Sequence, residues 1–293
     1  MKRNILAIAV IALLTACGGH KTTETEMKEE TSSPSDFSLK PNEVMAGINL
    51  TVSEGKRLIA KGIARHPLVK QKLDSGIIII TRGTTNTYIA EELARLKTSH
   101  GSFVTGNMTP AKGKQVDFGA DKVPEIILVN GKQVEMSYPD ALAALKKDDI
   151  VFKGGNLLNY EKKQAAVTAA AKDGGTVGKL QPYTSGEGQG HLIVPIGLEK
   201  EVGGDLKEYE AILSQDVKKV NFIPKIVVHK NAEIFTEIEA IKLFGDVKVV
   251  PFASGGIAGR EGGKSLAIYG DSLEVDKVLD IVSRIQGEPS FIE

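Results

Sequence analysis

Four consecutive isoleucines, Ile77–Ile80, constrain this chain more than any other feature. Isoleucine is branched at Cβ, which disfavours helix and suits a pleated strand. A run with no polar alternation predicts a strand buried on both faces, the kind found in parallel sheets covered by helices. Gly76 precedes the run, and Arg82-Gly83-Thr84-Thr85-Asn86-Thr87 follows it as a tight polar loop. Ile89, Leu93 and Leu96 then fall on one helical stripe, predicting a helix over 85–96. Helix, buried strand, glycine loop and helix together predict an α/β fold, mainly a parallel sheet flanked by helices.

The rest of the chain extends that pattern. Ser53-Glu54 marks a helix start, and Pro67 to Leu73 is a second short helix. Asn130-Gly131 between Glu125–Val129 and Lys132–Met136 predicts a hairpin. Tyr138 to Leu145 reads as a helix, Asp149–Phe152 as a second buried strand, Tyr160 to Lys172 as a helix with an alanine-rich face, and His191–Val194 as a strand. The last hundred residues change rhythm: strand Lys225–His229, helix Ala232–Leu243, strand Val247–Phe252, strand Ser265–Tyr269, helix Leu273–Ile285. That order predicts a C-terminal ferredoxin-like α+β lobe. The expected division is therefore 45–200 as the α/β domain and 201–293 as the lobe.

The N-terminus states a location. Lys2 and Arg3 form a basic head, Ile5–Leu14 is an apolar run too short to span a bilayer, and Leu14-Thr15-Ala16 leads into Cys17. This resembles the lipobox of bacterial lipoproteins. The resemblance implies a signal peptide over 1–16, cleavage before Cys17, and acylation of its thiol and amino group. Several acyl chains give stable membrane anchoring. Gly18 is not the aspartate that retains many lipoproteins in the inner membrane, so an outer membrane is expected where the host has one. Residues 17–44 follow as a polar, disordered tether, since Thr22–Glu26 and Glu29–Ser35 offer almost nothing to bury.

Composition excludes several functions. Acidic and basic side chains number 37 each. Without Lys2 and Arg3 the mature chain carries 35 basic against 37 acidic groups, which argues against a nucleic-acid partner. Cys17 is the only cysteine, so disulfides and thiolate metal sites are excluded. No tryptophan is present, which disfavours aromatic platforms for sugars or bases. The histidines His66, His100, His191 and His229 are scattered without metal-ligand spacing, and no cofactor or metal motif occurs. Ser254–Ser265 imitates a nucleotide loop but has Ala258 where the first glycine belongs, and Ser265 opens a strand rather than a helix. It is expected to be a long hairpin loop.

Two loops are candidate ligand sites. In 82–87, glycine allows a sharp turn after the strand, and Thr84, Thr85 and Asn86 stand at a helix N-terminus. Free N–H groups and the helix dipole there favour phosphate or carboxylate, with Arg82 adding charge. Lys153-Gly154-Gly155 ends the second buried strand, at the strand edge where open α/β sheets bind ligands. Glu161, one turn into the expected helix, is a candidate general base.

These residues resemble the ribose-5-phosphate isomerase type A branch of the sugar isomerase and coenzyme A transferase-like fold, over residues 53–180. That family carries a Gly-Thr-Gly-Ser-Thr phosphate loop after a strand, and Arg82-Gly83-Thr84-Thr85-Asn86 stands there. Lys153-Gly154-Gly155-Asn156 and Glu161 follow its Lys-Gly-Gly-Gly loop and early-helix glutamate, one residue closer together. Asp140 stands for the first aspartate of its Asp-Gly-Ala-Asp-Glu motif, whose second aspartate has no counterpart. The resemblance implies ligand contacts from Arg82, Gly83, Thr84, Thr85, Asn86, Gly154 and Gly155, and catalytic roles for Lys153, Glu161 and Asp140. Three functions remain open at this point: a small-anion binder, an isomerase or acyl-transfer enzyme, and a structural envelope protein. Convergence of Thr84, Lys153 and Glu161 in one cleft separates the first two from the third.

Overall fold

The structure, a computed structural model, describes residues 37–105, 112, 118, 121–169, 173–186, 189–215 and 225–292. The expected signal peptide, Cys17 and most of the expected tether lie outside the described residues.

Strand β1 (Glu43–Leu50) begins inside the expected tether, and its even-numbered residues Ile48 and Leu50 are buried. Helix α1 (Val52–Ile63) follows at once, closed by a capping box: Thr51 Oγ1 accepts from the Glu54 N–H at 3.2 Å, and the Glu54 carboxylate accepts from the Thr51 N–H at 2.8 Å. After α2 (Pro67–Asp74), the isoleucine run is β2 (Ile77–Ile80), buried as its composition predicts. Next come α3 (Thr84–Ala94), β3 (Ile126–Val129), β4 (Lys132–Gln133), α4 (Tyr138–Ala144) and β5 (Ile150–Phe152). Asp149, buried ahead of β5, accepts from the Ile77 N–H at 3.0 Å and the Lys146 N–H at 2.9 Å, which helps align β5 with β2.

The chain continues through β6 (Leu157–Asn159), β7 (Gln164–Thr168), α5 (Gly175–Thr184), β8 (His191–Pro195), α6 (Leu206–Leu213), β9 (Ile226–Val228), β10 (Ala232–Phe235) and α7 (Glu237–Lys242). It ends with β11 (Lys248–Ser254), β12 (Lys264–Asp271) and α8 (Ser272–Ile285). The central sheet runs β10-β8-β5-β2-β3-β4. The first four strands are mutually parallel, with Ile78 opposite Ile150, and β3 and β4 add an antiparallel edge. This is a mixed α/β sheet flanked by helices. Close helix approach needs small residues: a Cβ on Gly62 of α1 would lie 2.6 Å from the Ala240 Cβ of α7.

Three expectations fail. Tyr160–Lys172 is not a helix, because β6 and β7 form a hairpin there and β7 pairs with β9. Ala232–Leu243 is not one helix, because Ala232–Phe235 joins the central sheet beside β8 and only then does α7 begin. The ferredoxin-like lobe over 201–293 is not formed: β9 pairs with β7, β10 with β8, and β12 lies between β11 and the N-terminal β1. The loop at 255–263 does connect two antiparallel strands, as its sequence predicts.

Candidate functional site

β2 and β5 are parallel, so both chains leave the sheet at the same edge. Thr81 closes β2 by donating from Oγ1 to the Phe152 carbonyl at 2.8 Å. The segments beyond, 82–86 and 153–156, face one cleft of about 300 Å³. Here the sequence-predicted Arg82, Gly83, Thr84, Thr85, Asn86, Lys153, Gly154 and Gly155 come together.

The first turn of α3 presents the donors. The leading N–H groups of a helix lack partners within it. No side chain caps α3, since the N-cap residue is Gly83. Gly83 has φ 168°, an extended conformation open to any residue, and a Cβ built there would meet nothing closer than 4.0 Å. The backbone therefore does not require this glycine, whose missing side chain leaves the helix end open to the cleft. Gly155 is different: a Cβ there would lie 2.9 Å from the Ala166 carbonyl and the Ile196 side chain, so packing demands it.

Two side chains beside that turn are buried, and each leaves one polar atom unpaired. Thr85 is 3% exposed and its Oγ1 has no hydrogen bond. Asn86 is fully buried and donates from Nδ2 to the Thr81 carbonyl at 2.7 Å and the Phe152 carbonyl at 3.1 Å. Those bonds fix the amide, and leave its Oδ1 as an unpaired acceptor. Buried polar groups in folded proteins are normally paired, so these atoms mark a place where the protein alone does not complete the bonding.

The cations differ in their commitments. Arg82 is held by Glu125 at 3.3 Å. Lys200, which sequence reasoning missed, enters from the short turn Leu198–Lys200 and pairs with Glu199 at 3.7 Å. Lys153 makes only a 3.5 Å contact with the Gly154 carbonyl. Burial first, and then the neighbouring Lys200 charge, push its ammonium down to about 8 against the opposing pull of Glu125. His229 lies behind this loop, with Nε2 3.2 Å from the Gly154 carbonyl. Burial and the Lys153 charge push it down to about 3, so the ring is neutral, Nε2 donates, and Nδ1 is left unpaired.

The structure removes two predicted catalytic residues from the cleft. Glu161 is exposed in the turn between β6 and β7 and does not line it. Its expected place depended on the helix that the hairpin replaces. Asp140 is exposed in the first turn of α4, where its backbone N–H donates to Ser137 Oγ in a helix cap. Among the described residues, no group of three or more His, Cys, Asp or Glu side chains is arranged to hold a metal ion. No helix among them is long and apolar enough to cross a membrane. No protein-family model, curated protein or solved structure matches this chain.

Proposed function

We propose that this chain is a lipoprotein, anchored in the bacterial cell envelope through acylated Cys17, whose body binds a small phosphate or carboxylate. The observation that carries the reading is the uncapped start of α3 in a cleft that also holds Lys153 and Lys200. Helix N–H groups and ammonium groups attract an anion together, and the dipole of α3 adds to them. The lipobox-like segment supports the anchor, and Gly18 favours an outer membrane where there is one.

Isomerase chemistry of the ribose-5-phosphate type loses support, because its base would be Glu161, which stands outside the cleft. Calorimetry of the full-length protein with inorganic phosphate, sulfate and acetate tests the binding reading. Saturable binding, about tenfold weaker in Lys153→Ala, is expected from the loss of a charge-assisted hydrogen bond. Absence of binding by all three anions would leave an empty cleft and a structural role.

A further inference from the structure

A second cavity, of about 330 Å³, lies between the start of α1, the loop joining β11 to β12, and the C-terminal tail after α8. The loop is the one whose sequence imitates a nucleotide site. Its position is fixed by Arg260, which donates to Asn49 Oδ1 at 3.1 Å and to Ser265 Oγ at 2.7 Å. The tail is fixed as well. The Gly287 N–H donates to the Glu54 carboxylate at 2.8 Å, Glu288 pairs with Arg57 at 2.9 Å, and the Phe291 ring stacks on His100 at 4.8 Å.

Lys56, in the second turn of α1, lines this cavity and is only 7% exposed. It has no hydrogen bond or ion pair among the described residues, and its Nζ lies 5.7 Å from the centre of the Phe291 ring. Unlike Thr85 Oγ1 and Asn86 Oδ1, this nitrogen is not sealed from the surface. The two carboxyls that attract it, Glu199 and Glu237, are committed elsewhere. Glu199 pairs with Lys200 at 3.7 Å, and Glu237 accepts from the Leu198 N–H at 2.9 Å. Burial and the Glu199 charge push Glu237 up, so it holds its proton at neutral pH. Lys56 and Lys200 therefore share one carboxylate, and one positive charge is left over. Burial and the Lys200 charge push Lys56 down to about 8, which still leaves it mostly charged at pH 7.

Glu261 is the counterpart on the loop. It is exposed, lines the same cavity, and accepts from the Gly259 N–H at 2.8 Å, but it has no cationic partner among the described residues. An unpaired cation and an unpaired carboxylate thus line one cavity without pairing with each other. Leaving a buried charge without a partner is costly, and a ligand of opposite charge removes that cost. We propose that this cavity binds a small zwitterion, a free α-amino acid, with its carboxylate on Lys56 beside the start of α1 and its ammonium on Glu261. A carboxylate is favoured at a helix start, and Val52 and Phe291 offer apolar surface to a side chain. The cavity shares no lining residue with the anion cleft, so the proposal stands whether or not that cleft binds phosphate.

Calorimetry of the full-length protein at pH 7 with glycine, alanine and leucine tests this, with acetate and methylammonium as the two halves of the ligand. At least one amino acid is expected to bind saturably, about tenfold or more tighter than either half. Lys56→Met should weaken that binding about tenfold and Glu261→Gln severalfold. Methionine replaces a buried charge at similar volume, so Lys56→Met should match or exceed the parent in urea unfolding, and Glu261→Gln changes only an exposed side chain. Inorganic phosphate should not displace the amino acid. Absence of binding by all three amino acids overturns the site. Undiminished binding in either variant overturns the two-ended assignment, and acetate binding as tightly as glycine overturns the zwitterion. Displacement by phosphate overturns the separation of the two cavities.

Discussion

The Asn86 side chain donates to the Phe152 carbonyl at 3.1 Å, so one amide holds the first turn of α3 against the last residue of β5. The same group donates to the end of β2 through the Thr81 carbonyl. The ends of β2 and β5 are thus fastened to α3 by one buried side chain. Asn86→Ala is expected to lower stability by about 2 kcal/mol in urea unfolding, since it strands the Thr81 carbonyl and removes a tie between α3 and β5. Asn86→Asp should cost more, because a carboxylate would oppose two carbonyls.

Binding and stability should respond to pH in opposite directions at Lys153. Its ammonium is present below pH 8 and lost above it, so sulfate affinity should fall as pH rises through that value. Sulfate is the suitable probe because its own charge is constant there. The folded-state value lies below the ordinary 10.5, so the folded protein holds fewer protons between 8 and 10.5 and gains stability as pH rises through that window. Lys153→Met should therefore raise unfolding free energy at pH 7 by about 1 kcal/mol while weakening sulfate binding.

Gly83→Ser separates helix capping from ligand binding. Serine is a good N-cap, and its hydroxyl would accept from the N–H groups that the anion uses. Unfolding free energy should stay within about 0.5 kcal/mol of the parent or rise, because the extended backbone tolerates a side chain. Phosphate affinity should fall severalfold in calorimetry. Unchanged affinity would remove the start of α3 from the binding site.

Glu233 joins two histidines, accepting from His66 at 3.0 Å and from His191 at 2.6 Å. Burial alone would raise its pKa, but these bonds outweigh it and hold the carboxyl at about 2. Its contribution is complete above the ordinary 4.5 and lost as pH falls through 2. Glu233→Gln should cost about 1–2 kcal/mol at pH 7. The difference from the parent should shrink towards zero near pH 2, measured by urea unfolding across that range.

Anchoring is checked in cells. Cys17→Ser should abolish labelling by a radioactive or clickable palmitate and leave the protein as a precursor or in the soluble envelope fraction. Persistent lipid labelling in this variant would remove Cys17 as the acylation site.

The two loops of the cleft were legible because their strands are. Ile77–Ile80 and Ile150–Phe152 have compositions that only a buried sheet uses well, and a parallel pair brings its following loops together. Glu161 was misplaced for a complementary reason. Glu161-Lys162-Lys163-Gln164-Ala165-Ala166 consists of strong helix formers, and propensity yields to tertiary pairing. Here β7 buries Ala165–Val167, and Asn159 Oδ1 accepts from the Lys162 N–H at 2.8 Å to close the turn. Ala232–Phe235 was misread similarly, since four residues are too few to show a period. Lys200 carried no signal at all. It reaches the cleft from a single short turn, and only the folded chain shows it beside Lys153.

The pairing of β1 with β12 sets an order of events. Glu43 lies opposite Asp271 and Leu50 opposite Lys264, so the earliest of the described strands is completed by the last of them. Until about residue 271 has been synthesised, β1 lacks the strand it pairs with, and contacts so distant in sequence form slowly. A nascent or truncated chain ending before Lys264 carries an apolar strand with nothing to receive it, which is where a holding chaperone would be expected to bind.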